Sequence, residues 1–194
     1  MTIKHTLLSL SGASALGLML ACGGGGGGST TPTPTSTPAT SLSYTDPTSG
    51  TWQLKKNVAS TSQHLILDLV AVSAGTGAGV ALEIAVDGNH AQWSQPIGGD
   101  TQYLHNGTVL NLGTGTLAFK GKVVGSTLHI ALSQKGLASP ATFNGTVAQI
   151  ALDLKPGSTT GAVGLTVVTG KAKVLPASGT IADLPLSIGS LTAN

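Results

Sequence analysis

The chain has 194 residues, 40% hydrophobic and only 8% charged, and its nine Lys and seven acidic residues give a formal charge of +2. So small a charged fraction leaves apolar burial and backbone hydrogen bonding, not ion pairs, to hold the fold. With no Arg fork and never more than two adjacent lysines, the chain lacks the means to grip a phosphate backbone, which excludes nucleic acid as a partner.

Lys4 gives the N-terminus a short positive start, Leu7 to Leu20 is apolar or small, and Met19-Leu20-Ala21-Cys22 closes the segment. A charged start, a short apolar core and small residues at a cleavage point define a secretory signal. Cys22 is the only cysteine, so no disulfide can form within the chain. A cysteine at this junction makes the segment similar to a bacterial lipoprotein signal, with Met19 standing where Leu is more usual. The resemblance implies that residues 1–21 are a signal peptide and that Cys22 becomes the first mature residue, with diacylglycerol on its sulfur and further acylation. It implies an exported protein anchored to a membrane through lipid. Gly23 stands where Asp would mark inner-membrane retention, which implies the outer membrane, with the domain on its periplasmic or cell-surface side. After cleavage no apolar run is long enough to span a bilayer, so lipid is the only membrane attachment expected.

Gly23 to Gly28 is an unbroken glycine run, and Ser29 to Thr40 is Ser/Thr/Pro with Pro32, Pro34 and Pro38. Neither part has apolar surface to bury, so residues 22–41 read as a disordered tether. A glycine coil followed by a polyproline-like segment would reach about 40–50 Å. The glycine run is no phosphate loop, because no strand precedes it and no helix follows.

Residues 42–194 form the folded part. His64 to Val72 places Leu65, Leu67 and Leu69 on one face with Asp68 opposite, and Gly79 to Val86 groups Val80, Leu82, Ile84 and Val86 against Glu83. Thr127 to Gln134, Thr146 to Leu154 and Ala162 to Thr169 alternate in the same way. A period of two marks half-buried strands. Weaker strands are expected over Trp52 to Lys56, Val109 to Leu112, Leu117 to Val124, Lys171 to Leu175 and Ile181 to Ile188. Asn106-Gly107, Asn144-Gly145, Gly125-Ser126 and Pro156-Gly157 punctuate them as turns. About nine short strands with no helical period predict an all-β fold, an antiparallel β-sandwich.

The order of the C-terminal half carries a resemblance. Gly125-Ser-Thr-Leu-His-Ile-Ala-Leu-Ser133 is followed by Gly145-Thr-Val-Ala-Gln-Ile-Ala-Leu-Asp-Leu-Lys155 and Gly161-Ala-Val-Gly-Leu-Thr-Val-Val168, then a last strand pair. Upstream, Val80-Ala-Leu-Glu-Ile-Ala-Val-Asp-Gly-Asn-His-Ala-Gln-Trp93 resembles a strand running into a Tyr-Asp-Pro segment, with Asp-Gly here in place of Asp-Pro. Over roughly Gly50 to Leu191 the cadence is similar to cohesin-type domains and related carbohydrate-binding modules. The resemblance implies a cohesin-like jelly roll. It implies a protein partner of the envelope or secreted proteins in one branch of the family and polysaccharide in the other.

Catalytic chemistry finds little support. His64, His90, His105 and His129 show no metal-ligand spacing, and the seven acids are scattered singly, so neither a catalytic nor a metal site is expected. Asp87-Gly88-Asn89 could offer oxygens to calcium but lacks the dense acid spacing of a calcium loop, so it reads as a turn. No Gly-x-Ser-x-Gly nucleophile turn exists. The chain reads as a binding or assembly module, not an enzyme, with no cofactor beyond the lipid on Cys22. A passive surface protein is a further alternative. Among the six aromatics, Phe119 reads as core, Trp52 and Trp93 as core or edge plugs that could also contact a ligand, and Tyr103, in a polar loop, as the best exposed contact.

Overall fold

The computed structural model describes residues 36–113 and 118–194; the signal segment, Cys22 and the tether to Thr35 lie outside the described residues. The chain runs through β1 (Leu42–Thr45), β2 (Trp52–Lys56), β3 (His64–Ala71), the long β4 (Thr76–Val86), β5 (Ala91–Ser94) and β6 (His105–Asn106). It continues through β7 (Ala118–Val124), β8 (Thr127–Ser133), β9 (Ala141–Thr142) and β10 (Gly145–Leu154). Six short strands finish it: β11 (Gly161–Val163), β12 (Leu165–Val167), β13 (Lys173–Pro176), β14 (Ala182–Asp183), β15 (Leu186–Ser187) and β16 (Ser190–Ala193).

Two sheets make the layers of an all-β sandwich. One is ordered β15-β2-β3-β10-β5 with β6 beside β10; the other is ordered β14-β13-β4-β8-β7 with β9 and β12 also on β4. A small third sheet, β1-β16-β11, joins the two ends of the domain. The alternation read in the sequence decides which side chains meet. Leu65, Leu67 and Leu69 of β3 and Ile150 and Leu152 of β10 turn inward from one sheet, and Leu82, Ile84, Leu128, Ile130 and Leu132 from the other, all buried in one core. Each such side chain contributes about 1.5–3 kcal/mol by leaving water. Trp52 meets Phe143 edge to face at 5.0 Å, closing one part of this core. Gly125, with φ of 62°, supplies the left-handed backbone of the two-residue turn between β7 and β8.

Several segments depart from the sequence reading, each for a local reason. Val109 to Leu112 is no strand: Leu110 is a buried plug, and the backbone N–H groups of Gly107, Thr108 and Val109 donate to Val147 and Thr146 carbonyls. A Cβ on Gly107 would stand 2.1 Å from the Thr146 oxygen, so only glycine permits that approach. Ala162 to Thr169 breaks at Gly164, β11 pairing with β16 and β12 with β4. Ile181 to Ile188 also changes sheets. β14 pairs with β13, buried Leu184 crosses the core, and β15 lies parallel to β2. Trp93 sits inside β5, a short strand that the sequence reading did not include.

The chain also docks on the domain before Leu42. Thr160 N–H donates to Thr37 O at 2.8 Å, Ala39 N–H to Ser158 O at 2.9 Å, and Ser41 N–H to Asn194 O at 2.9 Å. The last part of the segment read as tether is therefore zipped onto the Ser158–Thr160 turn, beside the C-terminal residue.

Candidate functional site

The sandwich has two outer faces, and the same alternation that fills the core dictates both. On the seven-stranded sheet, sending Val80, Leu82, Ile84 and Val86 inward leaves Gly79, Ala81, Glu83 and Ala85 outside. Strand register assembles their neighbours into rows: Leu175, Gly79, Ser133 and Ala118, then Lys173, Ala81, Ala131 and Lys120. The next rows are Glu83, His129 and Lys122, then Thr166, Ala85, Thr127 and Val124. Nothing larger than Ser stands on the floor formed by Gly79, Ala81, Ala131, Ser133 and Ala118. An open apolar groove of about 200 Å³ runs over it, walled by Leu175 and Ile181. Ile181 is 67% exposed, so a large apolar group stands in solvent at the wall of the groove. At Gly79 a Cβ would come 2.3 Å from Ser133 Cβ, so the floor is at its flattest where only glycine fits.

Charge lines this face. Lys173 Nζ donates to Asp183 Oδ1 at 2.5 Å, Lys171 Nζ lies 3.8 Å from Glu83 Oε1, and His129 Nδ1 lies 3.4 Å from the same oxygen. Lys120 and Lys122 project from the edge strand β7 and pair with no acidic side chain among the described residues.

The six-stranded sheet presents a different surface, one that satisfies itself. Asp68 accepts from Asn57 Nδ2 at 3.0 and 2.9 Å and from Gln149 Nε2 at 2.8 Å. His64 Nδ1 lies 2.6 Å from Asp153 Oδ1, and Ser94 Oγ donates to the same oxygen at 3.0 Å. Ser94, His64 and Asp153 thus converge, but not as a nucleophilic triad. Ser94 Oγ lies 3.4 Å from Nδ1, the ring nitrogen that Asp153 already occupies, while Nε2 faces the Pro96 carbonyl at 3.5 Å. A relay needs the serine on one ring nitrogen and the carboxylate on the other.

Pairing extends to all four histidines of the domain, a pattern the sequence reading missed. Besides the two pairs above, His90 Nδ1 lies 2.8 Å from Asp87 Oδ2 and His105 Nδ1 lies 3.2 Å from Asp100 Oδ1. Asp87 with His90 and Asp100 with His105 are local pairs, three and five residues apart, whereas His64 with Asp153 and His129 with Glu83 are brought together by register. The Asn89 N–H and His90 ring hold the Asp87 carboxyl below the usual carboxylate range. Both Asp87 oxygens are engaged in this turn. Among the described residues, no three His, Cys, Asp or Glu side chains gather as a metal site.

The aromatic residues divide clearly. Trp52, 3% exposed, and Trp93, 7% exposed, are buried, so neither offers a ring to a ligand as the contact reading required. Trp93 Nε1 donates to Ser126 O at 2.8 Å and so ties β5 to the turn of the other sheet. Tyr44 is buried too. Its hydroxyl donates to Leu54 O at 2.9 Å and accepts from Gly189 N–H at 2.7 Å, and burial pushes its pKa up to about 12. Tyr103 is exposed, and Phe119 packs against the core.

No family model matches the chain, and no curated protein matches it. Solved structures do. CaCohA2, in its complex with CaDoc0917, superposes with a TM-score of 0.55 at 17% identity, over 73% of this chain and 98% of that one. The sixth cohesin of scaffoldin B from Acetivibrio cellulolyticus, solved with a Cel5 dockerin, gives 0.53 at 10% identity over 73% and 97%. The Coh-OlpA–Doc918 type I cohesin–dockerin complex from Clostridium thermocellum gives 0.51 at 13% identity over 73% and 97%. The folded domain is a cohesin-like β-sandwich, and likeness at these identities carries the fold alone.

Proposed function

We propose that this chain is a lipid-anchored envelope protein whose sandwich docks a protein partner on the outer face of the seven-stranded sheet. The carrying observation is the apolar groove over Gly79, Ala81, Ala131 and Ser133, walled by Leu175 and exposed Ile181. A flat floor of small residues admits close approach of another backbone, and its exposed apolar wall adds area that a protein contact can bury. The cohesins it resembles in fold were solved bound to dockerins, which supports a protein partner. Non-catalytic action is supported by the misaligned Ser94, His64 and Asp153 set. The lipid on Cys22 would hold the domain at the outer membrane, with the glycine and Pro/Thr segment giving it reach.

A crosslinking pull-down of the protein from its native membrane, with Cys22→Ala as control, tests this reading. One dominant protein partner, reduced when anchoring fails, is expected. Recovery of polysaccharide alone, or of nothing, would overturn it.

A further inference from the structure

The charges on the docking face are distributed in a way that the fold does not require. Lys120, Lys122, Lys171 and Lys173 stand around the groove against only two carboxylates, Glu83 and Asp183. The rest of the domain holds four lysines against five acids, so the positive excess belongs to this one face. Edge protection does not explain it. Lysines do shield exposed strand edges, and Lys55 and Lys56 fit that role on β2, beyond the two residues that β15 pairs with. The β7 edge, by contrast, is already blocked. Gln102 Oε1 accepts from Gly121 N–H at 2.7 Å and Gln102 Nε2 donates to Phe119 O at 3.2 Å, replacing the bonds a neighbouring strand would make. Lys171 and Lys173 lie at the opposite side of the sheet, where β14 covers the edge.

The two lysine pairs therefore wall a floor three strand spacings wide, about 14 Å. Two of the four are neutralised within the domain; Lys120 and Lys122 are left for a partner. Building on the docking reading above, we infer that the partner meets this face with a small apolar contact flanked by carboxylates, the ones on the β7 side pairing with Lys120 and Lys122. Charges placed at such a rim act on encounter and on partner choice, and they make binding sensitive to salt.

The test uses the full-length lipoprotein in native membrane vesicles with a benzophenone photo-crosslinker in place of Thr166, on the side of the face away from β7. Lys120→Glu/Lys122→Glu should lower the Thr166 adduct by about tenfold or more, and Lys120→Gln/Lys122→Gln by less. Raising salt from about 50 to about 300 mM should lower the wild-type adduct. Lys55→Glu/Lys56→Glu, on the opposite side of the sandwich, should leave it unchanged. Unaltered melting of each variant shows that folding is intact. An adduct from Thr166 indifferent to charge reversal and to salt would overturn this inference alone. An adduct that forms only from a crosslinker at Gln92, on the other sheet, would overturn the docking reading and this inference with it.

Discussion

The two outer faces of the sandwich come from one rule of alternation and end in opposite states. On the six-stranded sheet the outward positions hold Asp68, Gln149, His64 and Asp153, which spend their hydrogen bonds on one another. On the seven-stranded sheet they hold Gly79, Ala81, Ala131 and Ser133, which have little to bond with and leave a groove. A face that satisfies itself stabilises the fold and offers a partner little. A face of small residues makes few side-chain hydrogen bonds of its own, and its open floor is what the proposed docking would use. The lesson is that outward positions on a sheet divide by what they bond to, not by how polar they are.

Substitutions should separate the two faces. Ala131→Arg fills the groove and should lower partner capture by about tenfold or more while shifting stability by less than about 1 kcal/mol, as capture and melting assays on one preparation would show. Asp68→Ala should do the reverse. It strands the Asn57 and Gln149 amides, should cost about 1–3 kcal/mol in a denaturant titration, and should leave capture intact.

Tyr44→Phe sharpens the comparison from inside the core, because it leaves Leu54 O and Gly189 N–H without their shared partner. A loss of about 1–2 kcal/mol is expected. The wild-type Tyr44 pKa is raised in the folded state to about 12, so its contribution is full below the ordinary tyrosine range and is lost as pH rises toward that value. Melting temperature should fall over that alkaline window in the wild type and less steeply in the variant. Gln102→Ala should cost about 1 kcal/mol and promote self-association, visible in sedimentation, because it uncovers the β7 edge.

The smallest effect belongs to Asp87. Its carboxyl is held below the usual range, so its contribution is present above the ordinary carboxylate pKa and fades as pH falls through the lowered folded value. Asp87→Asn should flatten the acid limb of stability below about pH 4, with neutral-pH capture unchanged.

Long strands were legible because their leucines, isoleucines and valines repeat every second residue, and β3, β4, β8 and β10 all follow the reading. Segments that change sheets were not. Residues 181–188 look continuous, yet Leu184 drops into the core and hands the chain from β13 to β2. Nor could Val109 to Leu112 be told from a strand, since a single plug such as Leu110 carries the same apolar signature. The groove was illegible for a different reason. Ala81, Ala131 and Ala118 look like filler in one dimension, and only the register of β4, β8 and β7 makes them one floor. Histidine–carboxylate pairs such as Glu83 with His129 have the same origin. Exposure of Tyr103 was readable from its polar loop, whereas Trp52 and Trp93 needed the packing to show them buried.

The most direct test compares photo-crosslinkers placed at Thr166 on the seven-stranded face and at Gln92 on the six-stranded face, in cells carrying the full chain. The docking account predicts a single protein adduct from Thr166 and none from Gln92. An adduct from Gln92 alone would place the partner on the self-satisfied face and contradict it.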